Sequence, residues 1–212
     1  MMDDIYAYAD ELLKALYKEI EAEFRQARSR LPFDELNALD VRQRIRKLYA
    51  NLDEYARKAF RAAAEKAVAD AKRLLVSEGI EPDESVAADT VVYSLLSSAS
   101  PVTGYVYENE VDRKAARHIE ALLAAKSLTA HREAFRRAMS LWARQVKQYT
   151  DDAVYEAMVA EFRVSGVKYV RWYTREDERV CRTCKPRHGR RYRIGSIPVR
   201  HYGCRCELVP TR

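Results

Sequence analysis

All four cysteines of the chain fall within 26 residues, as Cys181-x-x-Cys184 and Cys204-x-Cys206, and His201 stands three positions before the second pair. Thiolate and imidazole are the donors that a borderline-soft tetrahedral cation selects, and a C-x-x-C knuckle presents two thiolates to one ion. The second arm, His201-Tyr202-Gly203-Cys204-Arg205-Cys206, offers three donors for the two remaining positions, so His201, Cys204 and Cys206 compete for them. Sixteen residues separate Cys184 from His201, a spacing compatible with a zinc ribbon or a finger-like loop. Five candidate ligands fill a closed site, which points to structural Zn2+ rather than to an active centre.

Two other uses of these cysteines stand beside the metal reading. Disulfides need an oxidising compartment, and the acidic start Met1-Met2-Asp3-Asp4 has none of the features of a secretory leader. A redox C-x-x-C normally opens a helix, and no helical pattern follows Cys181. The segment holds too few large apolar side chains to fold alone, whereas structural zinc supplies ~10–16 kcal/mol to such a piece.

Catalysis finds little support. His118-Ile119-Glu120 and the later Cys181-x-x-Cys184 superficially match a deaminase signature, but Val180 stands where proline is required. The H-x-E also sits in an amphipathic helical run. There is no H-E-x-x-H, no G-x-S-x-G and no glycine-rich phosphate loop. His118 and His131 read as solvent-exposed residues on charged helix faces.

Charge is concentrated around the cysteines. Residues 163–212 carry 14 Lys and Arg against 4 Asp and Glu, while the rest of the chain carries 24 against 28. The basic turn with Arg187, His188, Arg190, Arg191 and Arg193 reads as a solvated face, or as a footprint for phosphates or an acidic protein surface.

The elements that must position these residues are mostly helical. Gly 6 and Pro 6 in 212 residues leave few turn formers, and 33% charged residues suit long, solvated helix faces. Ile5, Tyr8, Leu12, Leu16, Ile20 and Phe24 recur at helical spacing. Pro32 breaks this run, and Asp34 or Asp40 is placed to cap the next helix. A long alanine-rich helix is predicted from Asp53 to Gly79, and another from Glu81-Pro82-Asp83. After the loop at Ser97-Ser98-Ala99-Ser100-Pro101, residues 105–125 and 130–149 read as helices. Asp151 or Asp152 caps a last one, ending near Ser165-Gly166.

At Gly166 the pattern changes. Val167-Lys168-Tyr169-Val170-Arg171-Trp172-Tyr173 is β-branched and aromatic, a strand signal. The expected fold is therefore mainly α, with a helical domain over 1–165 and a small, basic, β-rich zinc-ribbon-like module over 166–212. No apolar run approaches the ~20 residues that a membrane span needs. A protein made and kept in the cytoplasm until it is assembled is the expectation.

The C-terminal string resembles a known family. Trp172-Tyr173-Thr174-Arg175-Glu176-Asp177-Glu178-Arg179-Val180-Cys181-x-x-Cys184, then Gly189, Pro198, His201 and Cys204-Arg205-Cys206, is similar to the signature of phage head morphogenesis proteins, the minor head proteins of the phage Mu F-like type. Residues 101–110 resemble the family's N-terminal region more loosely. The chain departs from the family where Tyr202-Gly203 replaces the usual His-Pro and where Val199 replaces a second proline. The resemblance implies a non-enzymatic head component that associates with the portal and other capsid proteins, present in multiple copies. It would move from host cytoplasm to virion and touch packaged double-stranded DNA. A zinc-dependent nucleic-acid-binding regulator is the alternative, although no helix follows the knuckle to enter a groove.

Overall fold

The computed structural model describes residues 6–100, 104–174 and 181–211. Ile5, Pro101 and the string 175–180 lie outside the described residues. Among the described residues, five α-helices precede Val164 or end there: α1 (Ala7–Ser29), α2 (Ala38–Ser77), α3 (Ala88–Ser97), α4 (Tyr107–Leu123) and α5 (Leu128–Val164). Three short strands come after them, β1 (Tyr169–Tyr173), β2 (Arg191–Arg193) and β3 (Glu207–Thr211). The architecture is mainly helical with a small C-terminal antiparallel sheet, as expected.

Leu13, Leu16, Ile20 and Phe24 bury one stripe of α1. In α2 the buried stripe runs from Val41 to Leu75 and is alanine at positions 56, 59, 63, 64, 67 and 71. Small side chains let helix axes approach closely, and α2 packs most extensively on α5. An aromatic knot sits between these helices: Tyr107 lies 4.8 Å from Tyr149 and 5.6 Å from Phe60, ring centre to ring centre.

Several helix boundaries differ from the sequence expectation. Asn37, not Asp34 or Asp40, starts α2, its side-chain oxygen accepting from the Leu39 amide at 2.8 Å. From there α2 runs unbroken through Asp53. No helix starts at Glu81-Pro82-Asp83. Asp83 instead accepts from the Ser85 amide at 2.7 Å and gives its own amide to Ser165 Oγ at 2.9 Å, which ties the loop to the end of α5. Nor do Asp151 and Asp152 cap a new helix: α5 passes straight through them, and both are buried. Their tendency to cap is overridden because partners from the distant C-terminal segment need carboxylates at that face.

His118 and His131 are not on solvated faces; each is 2% exposed. His118 follows Ala115 and precedes Leu122 on the buried side of α4, and its ring lies 4.8 Å from Phe135 and 5.9 Å from Phe24. His131 packs 5.2 Å from the Phe135 ring.

Gly166 makes the turn from helix to sheet. Its φ is +75°, and the Gly166 and Val167 amides close back onto the Arg163 and Phe162 carbonyls at 3.2 and 3.0 Å, a Schellman arrangement. β1 then lies between β2 and β3, antiparallel to both, with Val170 opposite Tyr192 and Trp172 opposite Leu208. Val170, Trp172 and Leu208 point inward and join the same continuous set of buried side chains as the helices. Secondary structure changes at Gly166, but the core does not divide there.

Candidate metal centre

The knuckle is a tight turn in which the Cys184 and Lys185 amides both donate to the Cys181 carbonyl, at 3.1 and 3.0 Å. It turns the Cys181 and Cys184 sulfurs toward the arm that precedes β3. His201 Nε2 meets them at 2.9 and 3.0 Å, and Cys204 Sγ lies 3.7 Å from Cys184 Sγ. Cys181, Cys184 and His201 form one trio of mutually close donors, and Cys184, Cys204 and Cys206 form another. Cys184 belongs to both. These five residues could hold a metal ion. All four cysteines are free, and 3.7 Å is far beyond the ~2.05 Å of a sulfur–sulfur bond, so the disulfide alternative fails.

The histidine is oriented for ligation. Its Nδ1 lies 2.8 Å from the Tyr202 carbonyl; donation there leaves the Nε2 lone pair facing the sulfurs. The arm is in turn fastened to α5. Tyr202 donates its hydroxyl to the Arg144 carbonyl at 3.0 Å, and the Gly203 amide donates to Gln148 Oε1 at 2.7 Å.

Two arginines complete the attachment. Buried Arg200 donates to Asp152 Oδ1 and the Asp151 carbonyl at 3.2 Å each, to Tyr6 Oη at 3.3 Å, and also to the Cys204 carbonyl. Arg205 forks onto Asp10 at 2.6 and 2.8 Å and reaches Asp151 Oδ1 at 3.1 Å. Lys147 holds the other Asp151 oxygen at 2.7 Å.

Proton affinities within the cluster diverge. Hydrogen bonding with Cys206, helped by the Arg200 charge, draws the Cys204 thiol down to about 4. Burial, and then Cys181, push the Cys184 thiol up to about 12. Cys206 is pushed up by its hydrogen bond with Cys204 and by burial. Thiols this close share protons because their anions repel, and a cation at the centre removes that conflict.

The expected basic turn separates into two groups. Arg187 stacks over Trp172 at 5.2 Å and donates to the Val199 carbonyl at 3.0 Å. His188 Nδ1 accepts from the Thr174 amide at 3.3 Å, and the ring packs edge-on to Tyr173 at 5.5 Å. Both therefore shape the loop. Arg190, Arg191 and Arg193 are exposed. Arg191 lies 3.9 Å over the Tyr169 ring and is the direct cross-strand partner of Arg171, while Arg193 is opposite Tyr169.

The sequence reading did not assign Tyr169, Arg171 and Tyr173 to this face, although their alternation with buried Val170 and Trp172 is a period-2 signal. It also gave no role to Asp10 or Arg200, quoted Arg205 only as part of the C-terminal string, and read Asp151 and Asp152 as helix caps. Adjacent aspartates at an inward phase of a helical pattern were the one available hint. Comparison with family models, with characterised proteins and with solved structures gives no match.

Proposed function

We propose that this chain is a non-enzymatic minor head protein of a phage, a portal-associated structural component whose C-terminal module is closed by one zinc ion and whose basic sheet face meets DNA. One observation carries the reading: the four cysteines and His201 of the string that resembles the minor head family gather as two donor trios joined at Cys184. Trp172 and Arg205 of the string also have scaffold roles. Trp172 is fully buried, its carbonyl accepting from the Gly189 amide at 2.7 Å, and Arg205 clasps the helices.

Zinc fits the donor set. Tetrahedral bonds of ~2.3 Å place thiolate sulfurs ~3.8 Å apart, close to the 3.7 Å between Cys184 and Cys204. Cys184 with three of the other four donors would hold the ion, and Arg200 and Arg205 offset the negative charge of the thiolates. Such an ion supplies folding energy and cross-linking, not an open coordination position.

The sheet face supports a role against a polyanion. Arg171 and Arg191 are direct cross-strand partners, and with Arg193 they are exposed, a gathering of positive charge that attracts phosphates. The same face favours the second reading, a zinc-dependent nucleic-acid-binding regulator. Co-expression with the neighbouring portal protein and pull-down tests the first. Under the head-protein reading the two co-purify, and DNA binding is indifferent to sequence and falls steeply with salt. Failure to co-purify, together with tight binding to one selected duplex over random ones, overturns it in favour of the regulator. Zinc analysis on protein purified without chelator is expected to give one ion per chain; a metal-free, fully folded chain refutes the staple.

A further inference from the structure

Charge separates along the helical body. Residues 25–47 and 126–137 together carry eleven Lys and Arg against four Asp and Glu, whereas residues 74–100 carry five Asp and Glu and no Lys or Arg. Packing sends these stretches to opposite poles. Phe33, between α1 and α2, lies 6.1 Å from the His131 ring near the start of α5, and the Phe24 ring lies 6.4 Å from Tyr49. At one pole, then, α1 ends while α2 and α5 begin. At the other, the Asp83 amide donates to Ser165 Oγ, just past α5, at 2.9 Å. The length of α5 between them is roughly 50 Å at 1.5 Å per residue.

The basic pole has a groove between α1 and α5, a cavity of about 480 Å3 whose lining is mostly apolar and includes Phe24, Phe135 and Met139. Arg25, Arg28, Arg132 and Arg136 surround it, against the carboxylates of Glu21 and Glu133. Of these arginines only Arg136 has a carboxylate partner among the described residues, Glu133 at 2.7 Å. Leu39 and Leu128 are exposed at the same pole. The acidic pole has the opposite form. Tyr93 projects from α3 with 75% of its surface exposed, and its neighbours Thr90, Ser94 and Ser97 are small, polar and exposed. Asp89 precedes it by one turn, held only by an exposed ion pair with Arg61, a contact of little worth. α3 borders residues 156–163 of α5, whereas the groove borders residues 129–139, a separation of roughly 40 Å along that helix. A chain therefore cannot seat Tyr93 in its own groove.

We infer that copies of this chain dock head to tail, Tyr93 and the acidic pole of one copy entering the arginine-rimmed groove between α1 and α5 of the next. Tyrosine and arginine are the side chains that dominate interface energetics, and in this groove an aromatic ring meets apolar walls and guanidinium groups together. Opposite charge on the two poles steers the encounter and fixes its direction. DNA suits the groove less well, because a phosphate backbone satisfies the arginines but leaves the apolar lining uncovered. The contact is heterologous: each copy uses a different pole toward each neighbour, so it repeats into a ring or a filament. The head-protein reading is not needed for it, since neither the metal centre nor the sheet takes part.

Analytical ultracentrifugation of the full-length, nuclease-treated protein tests this. Particle mass is expected to rise with concentration above that of one chain and to fall back as salt is added. Tyr93→Ser and, separately, Arg25→Glu/Arg132→Glu should each weaken self-association by at least about tenfold. Helical content and melting should not change, because all three positions are exposed. The two variants should then complement each other: the first keeps the groove and the second keeps Tyr93, so an equimolar mixture forms a 1:1 dimer and nothing larger. Arg171→Glu/Arg191→Glu, on the sheet, should assemble as wild type does. Any of five results overturns the inference: a single monomeric species up to about 1 mM, wild-type assembly in either pole variant, no dimer in the mixture, assembly lost on reversal of the sheet arginines, or assembly that appears only when duplex DNA is added, which would make the groove a phosphate site.

Discussion

Arg200→Met tests whether the C-terminal module and the helices form one cooperative unit. Methionine keeps the stem's packing beneath Tyr155, whose ring lies 4.4 Å from the guanidinium carbon, but it removes every hydrogen bond that Arg200 donates. Asp152 then stays buried with only Gln148 Nε2 at 2.8 Å, and the Asp151 and Cys204 carbonyls lose a donor. Breaking a buried ion pair from one side costs about 3–5 kcal/mol. The lower end applies, because Gln148 remains and burial already raises the Asp152 carboxyl, so the group can take up a proton. A loss of about 3 kcal/mol lowers the melting temperature of a chain this size by about 6–12 °C. The assay follows helix by far-UV circular dichroism and the sheet by Trp172 fluorescence in a Trp142→Phe background. Both transitions should move together, and Arg200→Met/Asp152→Leu should recover much of the loss, since an apolar pair can replace a buried ion pair. A helical transition within about 2 °C of the parent while the sheet signal melts early would refute the reasoning.

Three further outcomes are expected from the geometry. Cys184→Ser should abolish stoichiometric zinc, while Cys181→Ser or Cys206→Ser should weaken it without abolishing it, because Cys184 alone belongs to both donor trios; metal analysis after dialysis distinguishes them. Burial, with a smaller push from His131, draws His118 down to about 3, so its contribution is complete above the unfolded value of about 6.5 and is lost as pH falls below it. Denaturant titrations should lose about 2 kcal/mol of stability between pH 7 and pH 5 from this group, with His131, also drawn down by burial, acting in the same direction; a His118→Phe variant with the same pH slope as wild type would contradict this. Gly166→Ala meets no atom within 4 Å, so its cost is purely that of an alanine at φ +75°, about 1 kcal/mol in thermal unfolding.

What could be read from the sequence was local. The helical spacing that ends in Leu16, Ile20 and Phe24 and the change of pattern at Gly166 both depend on neighbours a few residues apart, and the fold obeys them. The cluster of four cysteines and His201, which could hold a metal ion, was legible for the same reason: its residue types are rare and their spacings short, so clustering in sequence forces clustering in space. The basic turn was legible as charge but not as geometry. Only strand pairing decided that Arg191 and Arg193 share a face with Tyr169 and Arg171, while Arg187 and His188 are used inside the loop.

The remaining features belong to tertiary structure. Histidine is polar enough to be read as exposed, and the packing of α1, α2 and α5 around α4 decided otherwise for His118. Asp151 and Asp152 have the propensity of caps; they sit inside an unbroken helix because Arg200 and Arg205 arrive there from about fifty residues away in sequence. Asp10 meets Arg205 across 195 residues. Local spacing thus determined which side chains gather around Cys184. Long-range ion pairing, whose partners have no common pattern along the chain, decided that this cluster is fastened to the helices.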